Sequence, residues 1–324
     1  MLKRPNYKTF LSQFHSLIAL LMMVLAFSIL ADGFLSRDNF WTVMRQISVN
    51  LCLSVGMTLV ILTGGIDLSV GSILALSGAT MAGLLKHGSE IEALNLYVGY
   101  GVPAAIAIGI LVGASLGLFN GIMITRFRVP PFIATLAMLT IARGLTRLYT
   151  GGQAITGLGD TFVRIGSGRL LGIPNQFWIA AGIVVAAVVL LRKTRFGRYV
   201  YAVGGNEEAA KLSGLNVHRI KRTVYILSGA LSAVGGLIVT SRLNSATPIA
   251  GEGLELDSIA AVVIGGTSLS GGRGSVFGTV LGALIIGVLN SGLVIMGVDP
   301  FWHQVIKGLV ILLAVIIDRL HSTE

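Results

Sequence analysis

Apolar residues run along this chain in long blocks, and polar residues collect in the intervals between them. The blocks fall at about 17–34, 46–63, 68–85, 97–120, 132–149, 176–191, 223–240, 256–270, 275–296 and 302–318. Most approach 20 residues, the length at which a helix crosses a hydrocarbon core. The pattern predicts an all-α, polytopic membrane protein with about ten transmembrane helices, the eighth the weakest. One stretch departs from it. In "LVILTGGIDLSVGSILALSG", Leu59 to Gly78, two glycines and a carboxylate, Asp67, interrupt the apolar run, which resumes at once. A carboxylate at the centre of a membrane helix costs about 3 kcal/mol on insertion scales. Asp67 therefore belongs to a break, not to a continuous span facing lipid.

Composition agrees with the pattern. Of 324 residues, 54% are apolar and 12% charged, and the mean hydropathy is +0.84. Soluble domains carry about a quarter of their residues as charges. No polar segment is long enough to bury a core of its own. Residues 1–324 are thus expected to form a single transmembrane domain, whose longest polar stretch is 192–222. The lone Cys52 sits in an apolar block, so no intramolecular disulfide forms. The five histidines are scattered without metal-ligand spacing.

Charge then orients the helices. The first block follows Lys3, Arg4 and Lys8; it is long and has no convincing small-residue cleavage site, so it is expected to be an uncleaved helix with a cytoplasmic N-terminus. Ten crossings from that start place both termini, 121–131, 192–222 and 271–274 in the cytoplasm. These segments hold 15 basic residues and the opposite loops 6. The net charge of +10 is the positive-inside signal, and nucleic-acid binding loses its support. The stretches "SEIEALN" and "AGEGLELD" are acidic, as external loops are allowed to be.

At the break, Gly64 and Gly65 free the backbone from helical geometry, and Asp67 is placed to cap a helix beginning at Leu68. Two readings stay open: a helix cap at a tight cytoplasmic turn, or a residue lining a pathway. As a cap alone, Asp67 would be worth about 1 kcal/mol against leucine. The pattern GGxxLSxG returns, "GGIDLSVG" at 64–71 and "GGTSLSGG" at 265–272, so Ser69, Gly265, Gly266, Ser268 and Ser270 join Gly64, Gly65 and Asp67 as candidates. Such matches are frequent in a glycine-rich chain, but paired helix interruptions in two halves also mark transport paths.

Within 192–222, Asn206 is placed to cap a short helix with Glu207 and Glu208 in its first turn, Ala209 and Ala210 next, and Gly214 as its stop. A bare connection needs only a few residues, so a docking surface for a cytoplasmic partner is favoured over a solvated loop. No lysine follows a glycine, which excludes a P-loop, and no Ser-His-Asp or HExxH arrangement occurs. Ion-coupled carriers hold several intramembrane carboxylates; only Asp67, with Asp257 at a block edge, is available here. Asn50, Ser54, Thr58, Ser72, Ser77, Asn120, Thr135, Asn290 and Ser291 are mostly expected to serve helix packing.

Four stretches, "GMTLVILTGGIDLSVGSILALSG", "PFIATLAMLTIARGLT", "TRFGRYVYAVGGNEEAAKLSGLNV" and "ELDSIAAVVIGGTSLSGGRGS", resemble the permease subunit of ribose-type (monosaccharide) ABC importers over nearly the whole chain. The beginning "SLIALL" and the ending "GVDPFWHQVIKGLVILLAVIIDR" strengthen the likeness to the ribose-carrying branch. The resemblance implies a homodimer of multi-pass permeases in the bacterial inner membrane, moving ribose or a related monosaccharide. It further implies a cytoplasmic ABC ATPase that binds ATP and Mg, and a periplasmic sugar-binding protein. The chain itself would hold no cofactor, metal or catalytic residue. Importer permeases dock on the ATPase through a loop of pattern E-A-A-x-x-x-G, which Glu208, Ala209, Ala210 and Gly214 match in spacing. The I-x-L-P part of that pattern is missing, since "VYIL" without proline stands in its place.

Overall fold

The computed structural model describes residues 7–91 and 96–322. Lys3, Arg4, residues 92–95 of "SEIEALN" and Glu324 lie outside the described residues. The helices are α1 (Tyr7–Leu30), α2 (Arg37–Leu62), α3 (Val70–His87), α4 (Val102–Arg126), α5 (Pro131–Thr150), α6 (Asp160–Ser167) and α7 (Asn175–Lys193). They continue as α8 (Arg195–Gly205), α9 (Glu207–Leu212), α10 (Val217–Leu243), α11 (Leu254–Ile264), α12 (Val276–Ile295) and α13 (Pro300–Ser322).

Local chemistry sets several of these boundaries. Ser36 and Ser275 turn their hydroxyls onto the backbone N–H groups of Asn39 and Gly278 and cap α2 and α12. Pro103 and Pro131 sit in the first turns of α4 and α5, where a missing N–H does no harm. Among the described residues, α2, α4, α7, α10 and α12 are each long and apolar enough to cross a bilayer. The helices α1, α3, α5 and α13, of 24, 18, 20 and 23 residues, coincide with four more of the predicted blocks. The eighth block is different. Its helix, α11, has only 11 residues, about 16 Å at 1.5 Å per residue, and cannot cross alone.

α10 is the hub of the bundle, packing against α2, α3 and α4. Gly113, Gly117 and Gly121 recur every fourth residue on one face of α4, so they share one stripe. A Cβ on Gly113 would lie 2.5 Å from the Gly229 carbonyl oxygen, one on Gly117 would strike the Tyr225 carbonyl, and one on Gly121 would lie 2.9 Å from the Arg222 Cα. Main chain therefore rests on main chain along this seam. α2 and α12 are largely buried. Leu21, Met22, Leu25 and Ile29 of α1 and Phe301, Leu309, Leu312 and Leu313 of α13 point outward, as lipid-facing helices do. At the end of α10 remote from α9, Ser245–Ala246 pairs antiparallel with Ile155–Thr156, register Ile155↔Ala246.

Candidate functional site

The first break starts where α2 is closed by its own glycines. Gly64, at φ +74°, donates to the Ile61 carbonyl at 2.9 Å, and Gly65 to that of Val60 at 3.1 Å. This is the paired closure that a left-handed residue permits. The chain then runs on without helical structure, and α3 begins at Val70 rather than at Leu68. Asp67 is completely buried. Its Oδ1 accepts from the Ser69 backbone N–H at 3.0 Å and from the Ser69 hydroxyl at 2.5 Å. Its Oδ2 accepts from the Ser228 hydroxyl on α10 at 2.8 Å. The Asn120 amide on α4 donates to Ser69 Oγ at 2.9 Å, and Thr135 Oγ1 on α5 reaches the Ile66 carbonyl at 3.2 Å.

The predicted role of Asp67 as a cap on a helix from Leu68 is thereby corrected. The carboxylate closes a local turn on Ser69 and fastens the break to α10, because Ser69 rather than Asp67 occupies the residue before the first helical turn. Nor does the break sit at a tight turn at the edge of the bundle. Ser228 lies about 16 Å along α10 from Val217, so Asp67 is well inside. Beside the break, Thr63, Gly65, Ile124, Pro131, Lys221 and Tyr225 enclose a cavity of about 10 Å³, and the buried Tyr225 hydroxyl has no protein partner.

The second break repeats the helix ending. Gly266, at φ +83°, donates to the Val263 carbonyl at 2.8 Å, and Thr267 to that of Val262 at 3.1 Å. The sequence echo thus returns as the same closure displaced by one residue. Gly265 packs on α12, where a Cβ would strike the Gly278 carbonyl. Ser268 N–H donates to the Arg273 carbonyl at 3.0 Å, and the Ser268 hydroxyl accepts from Ser270 N–H at 3.4 Å. No carboxylate matches Asp67 here; the aligned residue is Ser268.

The two breaks meet. Gly272 N–H donates to the carbonyl of Leu62, the last residue of α2, at 3.0 Å. A Cβ on Gly271 would lie 3.0 Å from both the Gly64 nitrogen and the Gly204 carbonyl oxygen. Gly204, near the end of α8, comes so close that a Cβ would strike the Leu62 carbonyl and lie 2.6 Å from the Gly272 nitrogen. Three backbone segments from distant parts of the chain therefore touch. Tyr201 Oη adds a hydrogen bond to the Gly274 carbonyl at 2.9 Å.

One residue after Gly205 comes α9. Asn206 Oδ1 accepts from Ala209 N–H at 2.9 Å. Lys211 Nζ lies 3.2 Å from Glu207 and 2.9 Å from Glu208, and Lys221 on α10 holds Glu207 at 2.6 Å. At the other end Gly214, φ +82°, donates to Lys211 and Leu215 to Ala210, at 2.9 and 3.1 Å. Partial burial pushes the Glu207 carboxyl up, but Lys221 and Lys211 outweigh it and hold it below its ordinary value. Hydrogen bonds from Glu208 and Glu207 raise Lys211 in return. Ala210 is buried, whereas Leu212 is 90% exposed.

Gly64 and the 265–272 segment are thus brought together, and α8 connects them to Asn206 and α9. Asp67 and Ser69 form a separate network deeper in the bundle. The sequence does not single out Ser228, Asn120, Gly204, Gly271 and Gly272 as site residues; the "GGN" before "EEAA" is the one local signal for Gly204. Most neutral polar residues do pack helices, as Thr58 with Thr279 at 2.7 Å and Asn50 with Ser258 at 3.3 Å. Asn120 and Thr135 are exceptions, since they hold the first break through Ser69 and Ile66. Among the described residues, no group of three or more His, Cys, Asp and Glu side chains is placed to hold a metal.

Residues 39–315 match the family model described as branched-chain amino acid transport system / permease component. The chain is 47% identical over 321 residues to the ribose import permease protein of Escherichia coli K12, covering 98% of this chain and 97% of that one. It is 49% identical over 322 residues to the ribose import permease protein of Bacillus subtilis 168, covering 99% and 97%. The xylose transport system permease protein of Haemophilus influenzae is 35% identical, covering 93% of this chain and 94% of that one. No solved structure was found to match.

Proposed function

The chain belongs to the family of the branched-chain amino acid transport system permease component, and from that premise we propose that it is the membrane-spanning permease subunit of an ATP-driven importer of ribose or a closely related monosaccharide. Identities of 47% and 49% with ribose import permeases, over nearly full lengths, support ribose above the xylose-type relative at 35%. The chain transports and does not catalyse. It lies in the bacterial inner membrane with both termini cytoplasmic, an orientation supported by the basic residues around α8 and α9, among them Arg192, Lys193, Arg195, Arg198 and Arg219.

The observation that carries the mechanism is the backbone contact of Gly204 with Leu62 and Gly272. α9, with exposed Glu208 and Leu212, docks on a cytoplasmic ATPase that binds ATP and Mg. When the ATPase halves close, α9 and α8 move, and Gly204 passes that displacement to both breaks at once. Asp67 preserves the shape of the first break while its surroundings shift. A periplasmic sugar-binding protein delivers substrate at the opposite end, and two copies of this chain enclose the path.

The test is reconstitution in liposomes with the ATPase and a ribose-loaded binding protein. ATP-dependent ribose uptake is expected. Uptake without the ATPase would instead establish a secondary carrier, and preferential uptake of xylose would reassign the sugar. A reporter fused after Glu324 that is active only in the periplasm would overturn the orientation.

A further inference from the structure

α5 is an apolar helix that carries two arginines one turn apart, and their surroundings are unusual for a membrane span. Arg143 is buried and donates from one guanidinium nitrogen to the carbonyls of Pro248 and Ala250, both at 2.7 Å. Those carbonyls belong to 244–253, the stretch between α10 and α11 that the sequence pattern assigned to an external loop. The structure corrects that assignment: after its ladder with Ile155–Thr156, the segment turns back into the bundle. The Gly251 carbonyl lies against Gly71, in the first turn of α3. That is about 24 Å along α3 from His87, so 247–253 re-enters the bundle deeply. Irregular backbone at such depth survives only where its polar groups are satisfied or meet water, and Arg143 satisfies two of them.

Glu252 stands at the turn of this segment. Its Oε1 is 4.0 Å from Arg143 Nε and 3.7 Å from an Arg147 terminal nitrogen, and the Arg147 and Glu252 side chains are 60% and 54% exposed. Glu255, in the first turn of α11, accepts from Gly253 N–H at 3.1 Å and lays its other oxygen beside Gly71. Arg147 stands in the last turn of α5 and Glu252 reaches it from the re-entrant segment; ionised side chains are strongly disfavoured in hydrocarbon, so these exposed ones face water. The cluster holds two positive and two negative groups, so its formal charge is zero. It offers guanidinium donors and carboxylate acceptors whose capacity is far from used. Neither an anion nor a cation is favoured there, whereas a neutral molecule rich in hydroxyls meets a donor and an acceptor side by side.

We propose that Arg147 of α5 and Glu252 of the re-entrant segment between α10 and α11 form a sugar-contact site within the translocation path, held in place by Arg143 of α5 and Glu255 of α11. The proposal deepens the permease reading above and rests on it. In the path, a ribose hydroxyl donates to Glu252 and another accepts from Arg147, a weak station that a solute can leave as readily as it enters.

The test uses the reconstituted importer with the Arg147→Gln and Glu252→Gln variants, both at exposed side chains. Each is expected to lower ribose uptake about tenfold, the loss of one charged hydrogen-bond partner, while ATP hydrolysis stimulated by the loaded binding protein persists. Uptake per folded complex equal to the parent in both variants overturns the site. A second measurement does not depend on turnover. Glu252→Cys, with buried Cys52 as the unreactive background, is expected to react with a membrane-impermeant thiol reagent in the assembled complex and to be protected by ribose. No labelling in any nucleotide state, or labelling that ribose leaves unchanged, overturns it. Failure of the parent complex to take up any sugar with ATP would sink the permease reading instead, and is a separate outcome.

Discussion

Replacing Asp67 with leucine removes the acceptor that three donors use: the Ser69 N–H, the Ser69 hydroxyl and the Ser228 hydroxyl. The site is fully buried, so water does not take the carboxylate's place. An orphaned buried donor costs about 1–3 kcal/mol; the Ser228 hydroxyl can turn to a carbonyl of its own helix, so the two Ser69 donors alone put the cost at roughly 2–6 kcal/mol. This exceeds the ~1 kcal/mol of a lost helix cap and at its upper end reaches the whole stability of a typical domain, about 5–15 kcal/mol. Asp67→Leu is therefore expected to yield little monodisperse protein, with a lowered Tm in whatever is recovered. Asparagine behaves differently. Its carbonyl keeps both bonds to Ser69, its amide turns to Ser228, and that hydroxyl rotates to accept. The cost falls to about 1 kcal/mol, one weakened bond. Asp67→Asn should accumulate normally and slow ribose uptake per folded complex, since the break is then held less firmly during movement. Yield and melting temperature of detergent-purified protein test the first half, and proteoliposome uptake the second. An Asp67→Leu chain with parental yield and Tm would refute the hydrogen-bond argument outright. Parental uptake by Asp67→Asn would reduce the residue to a structural fastening.

Other positions give sharper contrasts. Gly204→Ala drives a Cβ into the Leu62 carbonyl, whereas a Cβ on the adjacent Gly205 meets nothing within 4 Å; the first should separate ATP hydrolysis from uptake at a cost of about 1–3 kcal/mol, and the second should be silent, with equal effects counting against the junction. Glu208→Lys breaks an exposed ion pair that solvent screens, so it should impair coupling with little change in Tm; a parental uptake rate would remove Glu208 from the docking surface. At Gly214 the left-handed backbone penalises any side chain by about 1–2 kcal/mol, and Gly214→Val should loosen α9, seen as faster hydrogen exchange at Leu212 and Ser213. The depressed Glu207 stabilises α9 above the ordinary carboxylate range and loses this effect as pH falls through its folded value; the raised Lys211 acts below the ordinary lysine range and loses its effect as pH rises. Hydrogen exchange of α9, corrected for intrinsic rates, should therefore stay flat between about pH 5.5 and 9.5, and a transition near pH 7 would assign its stability to other groups.

The outline of this molecule is legible in its sequence where the determinants are local. Membrane helices need continuous apolar runs, so nearly every block appears as a helix close to its expected place. The ends of α9 depend on Asn206 and Gly214 alone, within a few residues, and are equally legible. What fails is long-range. The segment 247–253 is polar and turn-rich, indistinguishable in sequence from an external loop, and only Arg143, more than a hundred positions earlier, brings its carbonyls inside. Asp67 announces a break, but Ser228 and Asn120 resemble every other neutral polar residue of a membrane helix until α10 and α4 are folded around it. The GGxxLSxG echo falls between these cases. It foretold two similar helix endings, while their contact through Gly204 came from a third segment that shares no motif with either.

The glycine seam between α4 and α10 has a consequence for motion. Packed helices slide past one another by small steps as side chains re-seat. Along Gly113, Gly117 and Gly121 the nearest atoms are the main chain of Gly229, Tyr225 and Arg222, with only the short Ala233 and Ser77 side chains and the stem of Arg222 beside them, so little is free to re-seat. Sliding along the seam would drive main chain into main chain, so α4 and α10 are expected to move as a single beam through a transport cycle. The moving parts are then those hung upon the beam by hydrogen bonds: the first break through Ser228 and Asn120, and α9 through Lys221. In mechanical language α4 and α10 are the stator, and whatever alternates access to the sugar does so by turning against them.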